Sequence, residues 1–221
     1  GKVMISSSPP ATIWINNKSY GNSPMTISLP AVTQQIVFKK KGHRLVSKTI
    51  KPTGKFVQKV SAKLLTEYQA RLQESPRELT NKEGIKLKLF INPGYLKMGA
   101  PRSQKGQRAN EFQKKIRLTK SFYASIFEIT NGQYGRFKPS LRKSLGADNI
   151  PVTSIDWNEA ASFCNWLSKN EGLQPFYNIV NKRVGGFNKN TDGYRLLSEA
   201  EWEWLSRKAG KTKQTIFSWG D

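Results

Sequence analysis

The sequence predicts an α+β chain of two modules: a small antiparallel β-sandwich over residues 1–64 and a mixed module over residues 85–221, joined by a linker at 65–84. Three observations carry this. The first 64 residues hold six short runs rich in β-branched or aromatic residues, separated by turn signals. From Ile85 the texture changes, and three later segments open on helix-capping residues. Between the two lies a polar stretch with Glu67, Gln69, Arg71, Gln73, Glu74 and Pro76, which suits a helical or extended connector.

In the first module the runs fall at 3–6, 12–15, 25–29, 35–39, 45–50 and 56–61. Pro9-Pro10, Asn16-Asn17, Gly21, Pro24, Pro30, Lys41-Gly42 and Pro52-Thr53-Gly54 break them apart. Strands this short, at this spacing, pair as a small sandwich. In the second module 85–91 and 95–98 flank Asn92-Pro93-Gly94 and predict a β-hairpin. A polar surface loop follows at 99–113, then strand material at 116–118 and 122–128.

The helices are read from their caps. Thr130 with Gln133 forms a capping box that opens a short helix through Phe137. Asp156 opens the next, which runs to about Glu171 and stops at Gly172; Ala160, Phe163, Cys164 and Leu167 predict a single buried stripe on it. Ser198 with Glu201 opens the third, which ends at Gly210. Ala200 and Trp204 on one side of it, and Trp202, Leu205 and Ala209 on another, predict a helix packed between two layers.

Charge is the unusual feature of the composition. Lys and Arg number 37 against 15 Asp and Glu, a formal +22, and residues 1–66 contain eleven Lys and Arg but no acidic residue. Such a field concentrates polyanions: nucleic acid, anionic lipid, lipopolysaccharide or an acidic protein face. A soluble domain from a basic proteome is the alternative reading. Of these, a protein partner or an anionic envelope surface is expected, and nucleic acid is not. The turn Lys39-Lys40-Lys41-Gly42-His43-Arg44 is the best single site, with Lys39, Lys40, Lys41 and Arg44 as candidate ligands; a solvated turn that discourages edge pairing is the competing reading.

Other chemistry is largely excluded. Cys164 is the sole cysteine, so neither an intrachain disulfide nor a cysteine zinc site can be assembled. His43 is the sole histidine and has no acid near it in sequence, which argues against a Ser-His-Asp triad. Glu199, Glu201 and Glu203 alternate along a helix and cannot converge on one ion; capping and pairing to Arg195 or Arg207 is expected instead. Gly185-Gly186 lacks the strand-to-helix setting of a phosphate loop. Five of the six tryptophans fall in the second module and are expected in its core, whereas Trp14 is left open as a binding residue. No apolar run approaches the ~18 residues of a membrane span. The opening on Gly1 is read as the loss of any upstream export signal.

Two stretches resemble known families. Ser8-Pro9-Pro10-Ala11-Thr12, Ile13-Trp14-Ile15-Asn16-Asn17-Lys18, Gly21-Asn22-Ser23-Pro24 and Lys40-Lys41-Gly42-His43 resemble the PEGA repeat, with Thr12, Asn17 and His43 as departures. The resemblance implies a small envelope-associated β-domain, hence a periplasmic or cell-envelope location, with a binding or spacing role.

Asn92-Pro93-Gly94-Tyr95-Leu96-Lys97-Met98-Gly99, Glu128-Ile129-Thr130-Asn131-Gly132-Gln133-Tyr134, Asp156-Trp157-Asn158-Glu159-Ala160 with Phe163-Cys164-Asn165-Trp166-Leu167-Ser168, Gly193-Tyr194-Arg195-Leu196-Leu197-Ser198-Glu199-Ala200-Glu201-Trp202-Glu203 and Trp219-Gly220-Asp221 resemble, in order, the motifs of formylglycine-generating enzymes, the sulfatase-modifying factors. Leu197 and Ser198 depart from the usual Pro-Thr. The resemblance implies a C-type-lectin-like fold, with Trp157, Cys164, Trp166, Arg195, Glu199, Glu201 and Trp202 as structural signature residues. It also implies that the copper-binding catalytic cysteines and the main calcium ligands lie beyond Asp221, so no catalytic residue and no cofactor is expected within this chain. Two functions follow as expectations: a non-catalytic binding or regulatory member of the superfamily, or part of a copper-dependent oxidase that makes formylglycine on sulfatase cysteines.

Overall fold

The computed structural model describes residues 1–220, which form two compact units divided between Ser75 and Pro76. The first unit contains β1 (Lys2–Ser8), β2 (Thr12–Ile15), β3 (Lys18–Asn22), β4 (Met25–Ser28), β5 (Gln34–Lys39), β6 (Val46–Ile50), β7 (Gln58–Lys63) and α1 (Glu67–Glu74). The strands make two sheets, β4-β1-β7 and β3-β2-β5-β6. Alternation places Val3 and Ile5 of β1, Ile13 and Ile15 of β2, and Ile36 and Phe38 of β5 in one aliphatic core, closed by Val60, Ala62 and Leu64.

Three details differ from the sequence reading. The β1–β7 pair is parallel, so the sandwich is antiparallel in every pair but one. β3 carries no apolar alternation because all five of its residues are exposed; it exists because Asn16 and Asn17 take φ of 46° and 68° and turn the chain back on β2. The strand expected from Phe56 begins instead at Gln58, because the side chain of Gln58 ties off the preceding loop.

The stretch read as a linker is shared out between the units. Thr66 and Gln69 form a capping box that starts α1. Residues 78–80 pair in a sheet of the second unit.

The second unit contains β8 (Glu78–Thr80), β9 (Lys86–Phe90), β10 (Gly94–Met98), β11 (Lys114–Leu118), β12 (Phe122–Ser125), α2 (Asn131–Phe137), a 3₁₀ turn (Pro139–Leu141), α3 (Trp157–Asn170), β13 (Tyr177–Val180), β14 (Arg183–Phe187) and α4 (Glu199–Arg207). The predicted hairpin across Asn92–Gly94 does not form. β9 pairs with β8 and β12, while β10 pairs with β11. Asn92 and Gly94, at φ of 45° and 81°, turn the chain out of one sheet into another rather than back on itself.

All three predicted helices are present with their caps, but two bury different faces from those expected. On α3 it is Ala161, not Ala160, that is fully buried. Phe163 and Leu167 pack with Ile85, Leu87 and Tyr134, whereas Ala161 and Cys164 pack with Tyr177, so α3 separates two apolar clusters instead of carrying one stripe. On α4 Trp204 is buried, edge-on to Phe90 at 5.6 Å, while Trp202, on the second expected apolar side, is exposed. Among the described residues no helix is long and apolar enough to cross a membrane.

Candidate functional site

The acid-free composition of residues 1–66 becomes a surface feature at one end of the first unit. β2 and β5 lie side by side with Thr12 level with Lys39. Beyond β5, Lys40 and Lys41 lead into a turn in which Gly42 takes φ of 74° and His43 N–H donates to Lys40 O at 3.1 Å. The turn, the Pro10–Thr12 segment, Trp14 and Asn22 surround an open hollow of about 770 Å³, with Lys39, Lys40, Lys41, His43 and Leu45 completing its lining.

Its polar groups are partly fixed. Lys39 Nζ sits 4.1 Å from the Trp14 ring centroid, a cation–π contact that holds the ammonium against the indole. Lys40 Nζ donates to Pro10 O at 3.1 Å, and Thr12 Oγ1 donates to Asn22 Oδ1 at 3.0 Å. The hollow can hold an anionic group electrostatically while Trp14 and Leu45 supply apolar area. Its one histidine has Nδ1 3.1 Å from a backbone carbonyl, Lys41 O, which is not a general-base arrangement.

Arg44 is not part of this group. Its Nε donates to Glu67 at 3.3 Å and its Nη1 pairs with Glu74, so the guanidinium is engaged by α1. The four cations expected at one site therefore resolve into three lysines around a hollow and an arginine that fastens a helix. Trp14, left open as a binding residue, joins the lysines here, but its place and that of Asn22 beside them were hidden in the sequence, because only strand pairing brings residues 10–14 and 22 beside residue 39.

In the second unit several of the signature residues are paired or packed. Arg195 grips Glu201 through two bonds, of 2.7 and 2.6 Å, and Glu201 also accepts from Ser198 N–H at 2.8 Å. Burial pushes the Glu201 carboxyl up, but the guanidinium and the cap outweigh this and hold it below the usual carboxylate range. Glu203 pairs with Arg207 and accepts from Gly99 N–H at 2.9 Å, and Glu199 stands exposed at the start of α4. Trp166 lies 5.6 Å from Phe163 and 5.7 Å from Phe137.

Three further tryptophans correct the expectation of a tryptophan-rich core, whereas Trp204 meets it. Trp157 is 52%, Trp202 64% and Trp219 84% exposed, each at a helix start, an outward helix face or a terminal loop. Trp219 stacks flat on Phe217 at 5.0 Å.

Cys164 is buried, and burial pushes its thiol up to about 12 despite the nearby Arg195. A thiol so hard to ionise suits neither a nucleophile nor a copper ligand, both of which act as thiolates. Among the described residues no three of His, Cys, Asp and Glu converge on a point. Cys164 therefore does not fit the copper site that the resemblance associates with full formylglycine-generating enzymes.

Comparison with known proteins agrees with this division. Residues 73–221 match the sulfatase-modifying factor enzyme 1-like domain, and residues 1–67 match the PEGA domain. The chain is 26% identical over 128 residues to Chaperone protein LppX of Paenibacillus barcinonensis; the match covers 52% of this chain and 45% of that protein, so the chain spans less than half of this relative's length. Among solved structures, Treponema denticola variable protein 1 superposes with a TM-score of 0.51 at 20% identity, covering 65% of this chain and 60% of that one. The crystal structure of CarF gives a TM-score of 0.47 at 20% identity, covering 62% and 63%, too loose an overlap to carry an argument. At such identity these likenesses speak to the fold alone. The mixed architecture, with its several small sheets, is that of the C-type-lectin-like fold, and the chain, a PEGA domain followed by a formylglycine-generating-type domain, belongs to the sulfatase-modifying factor enzyme 1-like family.

Proposed function

We propose that this chain is a non-catalytic, envelope-associated binding or regulatory member of the family, and that its basic PEGA domain docks to an anionic partner, either an acidic protein face or a charged envelope surface. The observation that carries the reading is the hollow in which Lys39, Lys40 and Lys41 surround Trp14 and Asn22, with no acidic side chain anywhere in residues 1–66. The likeness to a protein named a chaperone supports a binding role over a catalytic one. A second reading, part of a copper-dependent oxidase acting on sulfatase cysteines, is favoured by the family match over residues 73–221. It requires thiolates other than the buried Cys164.

Fluorescence anisotropy with labelled inorganic polyphosphate tests the docking. Affinity is expected to fall steeply from low to physiological salt, and the triple change Lys39→Gln, Lys40→Gln and Lys41→Gln to weaken it by roughly tenfold or more at low salt. Arg44→Gln, which lies outside the hollow, is expected to leave binding nearly unchanged. Equal affinity of the wild type and the triple variant removes the hollow from the proposal.

A further inference from the structure

The end of the first sandwich opposite the hollow has its own character. Strand directions define what lies there. β1 starts at that end, β4 finishes there with Ser28 beside Lys2, and β7 starts there with Gln58 beside Val3. In the other sheet Ile15 is level with Lys18 and Ile36, and Gln34 with Ile50. The end is therefore capped by the turn at Asn16-Asn17 and by the loops 29–33 and 51–57. The chain leaves the unit from the other end, where His43 bridges Thr66 ahead of α1.

Two of these loops hold large apolar side chains in water: Val32 is 58%, Phe56 64% and Val57 48% exposed. The longer loop is held firmly at its neck. Pro52 is fully buried, and the Gln58 side chain accepts from Thr53 N–H at 2.8 Å and donates to Lys51 O at 3.4 Å. Lys55, Phe56 and Val57 project beyond this neck. Lys2, Lys18 and Lys59 fall at this end by strand register, Lys51 and Lys55 lie in the longer loop itself, and residues 1–66 contain no carboxylate side chain to offset them.

We propose that this end of the PEGA domain seats on an anionic lipid surface, with Phe56, Val57 and Val32 entering the interfacial layer and the lysines lying against headgroup phosphates. The shape selects the occupant. The apolar groups are exposed side chains on two separate loops, and a lipid interface accepts scattered apolar groups that a rigid protein face would have to match one by one. Apolar side chains ringed by lysine are the chemistry that binds such an interface, because burial and electrostatic attraction add. This contact is separate from the hollow and stands whether or not the hollow binds.

Flotation of the full chain with phosphatidylcholine vesicles, with and without phosphatidylglycerol, tests it. Binding is expected only with the anionic lipid. Phe56→Asp is expected to weaken it roughly tenfold, and Lys51→Gln with Lys55→Gln by roughly fivefold for each charge removed. Phe56→Trp supplies a reporter whose emission is expected to shift to the blue on those vesicles. The hollow variant Lys40→Gln with Lys41→Gln is expected to lose less binding than Lys51→Gln with Lys55→Gln. Absence of binding to anionic vesicles, or binding indifferent to Phe56→Asp but abolished by the hollow variant, overturns the proposal.

Discussion

The two units solve the same problem by different chemistry. The first satisfies its backbone through seven strands and buries aliphatic side chains between two sheets, and the ion pairs that fasten Arg44 to α1 lie outside that core. The second has short ribbons and long irregular stretches, so its backbone leans on side chains. Asn81 Oδ1 accepts from Glu83 and Ile85 N–H, Ser168 Oγ accepts from Tyr194 N–H at 2.8 Å, and Asn165 bonds both Tyr177 N–H and its carbonyl. Arg195 with Glu201 and Arg207 with Glu203 complete this framework around α4. Where strands cover less of the chain, polar side chains satisfy backbone groups that a ladder would otherwise pair.

The comparison has measurable edges. The largest effect is expected in the aliphatic core: Phe38→Ala, at a site with no solvent exposure, costs about 4 kcal/mol, with the loss confined to peptides of residues 1–75 in hydrogen exchange read by mass spectrometry. If protection falls equally in both units, they are not independent.

Next comes Glu201→Gln, which leaves the Arg195 charge without its partner. Because Arg195 keeps some contact with water, the cost is about 2 kcal/mol, below that of a fully buried pair, and it falls on residues 76–221. The same carboxyl sets an acid limit. Its folded value lies below the unfolded one of about 4.3, so its contribution is complete above that pH and fades as pH falls through the folded value. Exchange at falling pH is expected to open the second unit before the sandwich, whose strands contain no carboxylate, and Glu201→Gln is expected to flatten the difference. The smallest effect is at Trp202→Ala, within about 0.5 kcal/mol of wild type by thermal melting, because the indole is largely in water.

Legibility in the sequence followed the same divide. Local chemistry was readable: the capping pairs Thr130 with Gln133 and Ser198 with Glu201 start their helices where expected, and β2 occupies 12–15 as its alternation indicated. Pairing was not. Asn92-Pro93-Gly94 has the composition of a hairpin turn, but composition does not say which sheet receives the next strand, and β9 and β10 part company there. β3 escaped notice because a fully exposed strand has no apolar period. At the candidate site, the run of lysines was visible, but the engagement of Arg44 by Glu67 and Glu74 and the approach of Trp14 to Lys39 depend on contacts between residues 23 to 30 positions apart. Burial of tryptophan was overestimated for a related reason: membership of a motif does not say which side of a helix faces in.

One feature of the second unit has a practical meaning for protein engineering. The segment 99–113 leaves β10 and returns to β11 at paired positions, Met98 opposite Lys114, so its two ends are already held together. Lengthening a loop whose ends are clamped costs only about 0.6 kcal/mol for each doubling. Gly99 is the exception, because its backbone lies too close to Phe112 to admit a side chain. A reporter peptide or affinity tag spliced between Ser103 and Gln107 would thus be displayed in solvent while the ribbon that carries it kept its register.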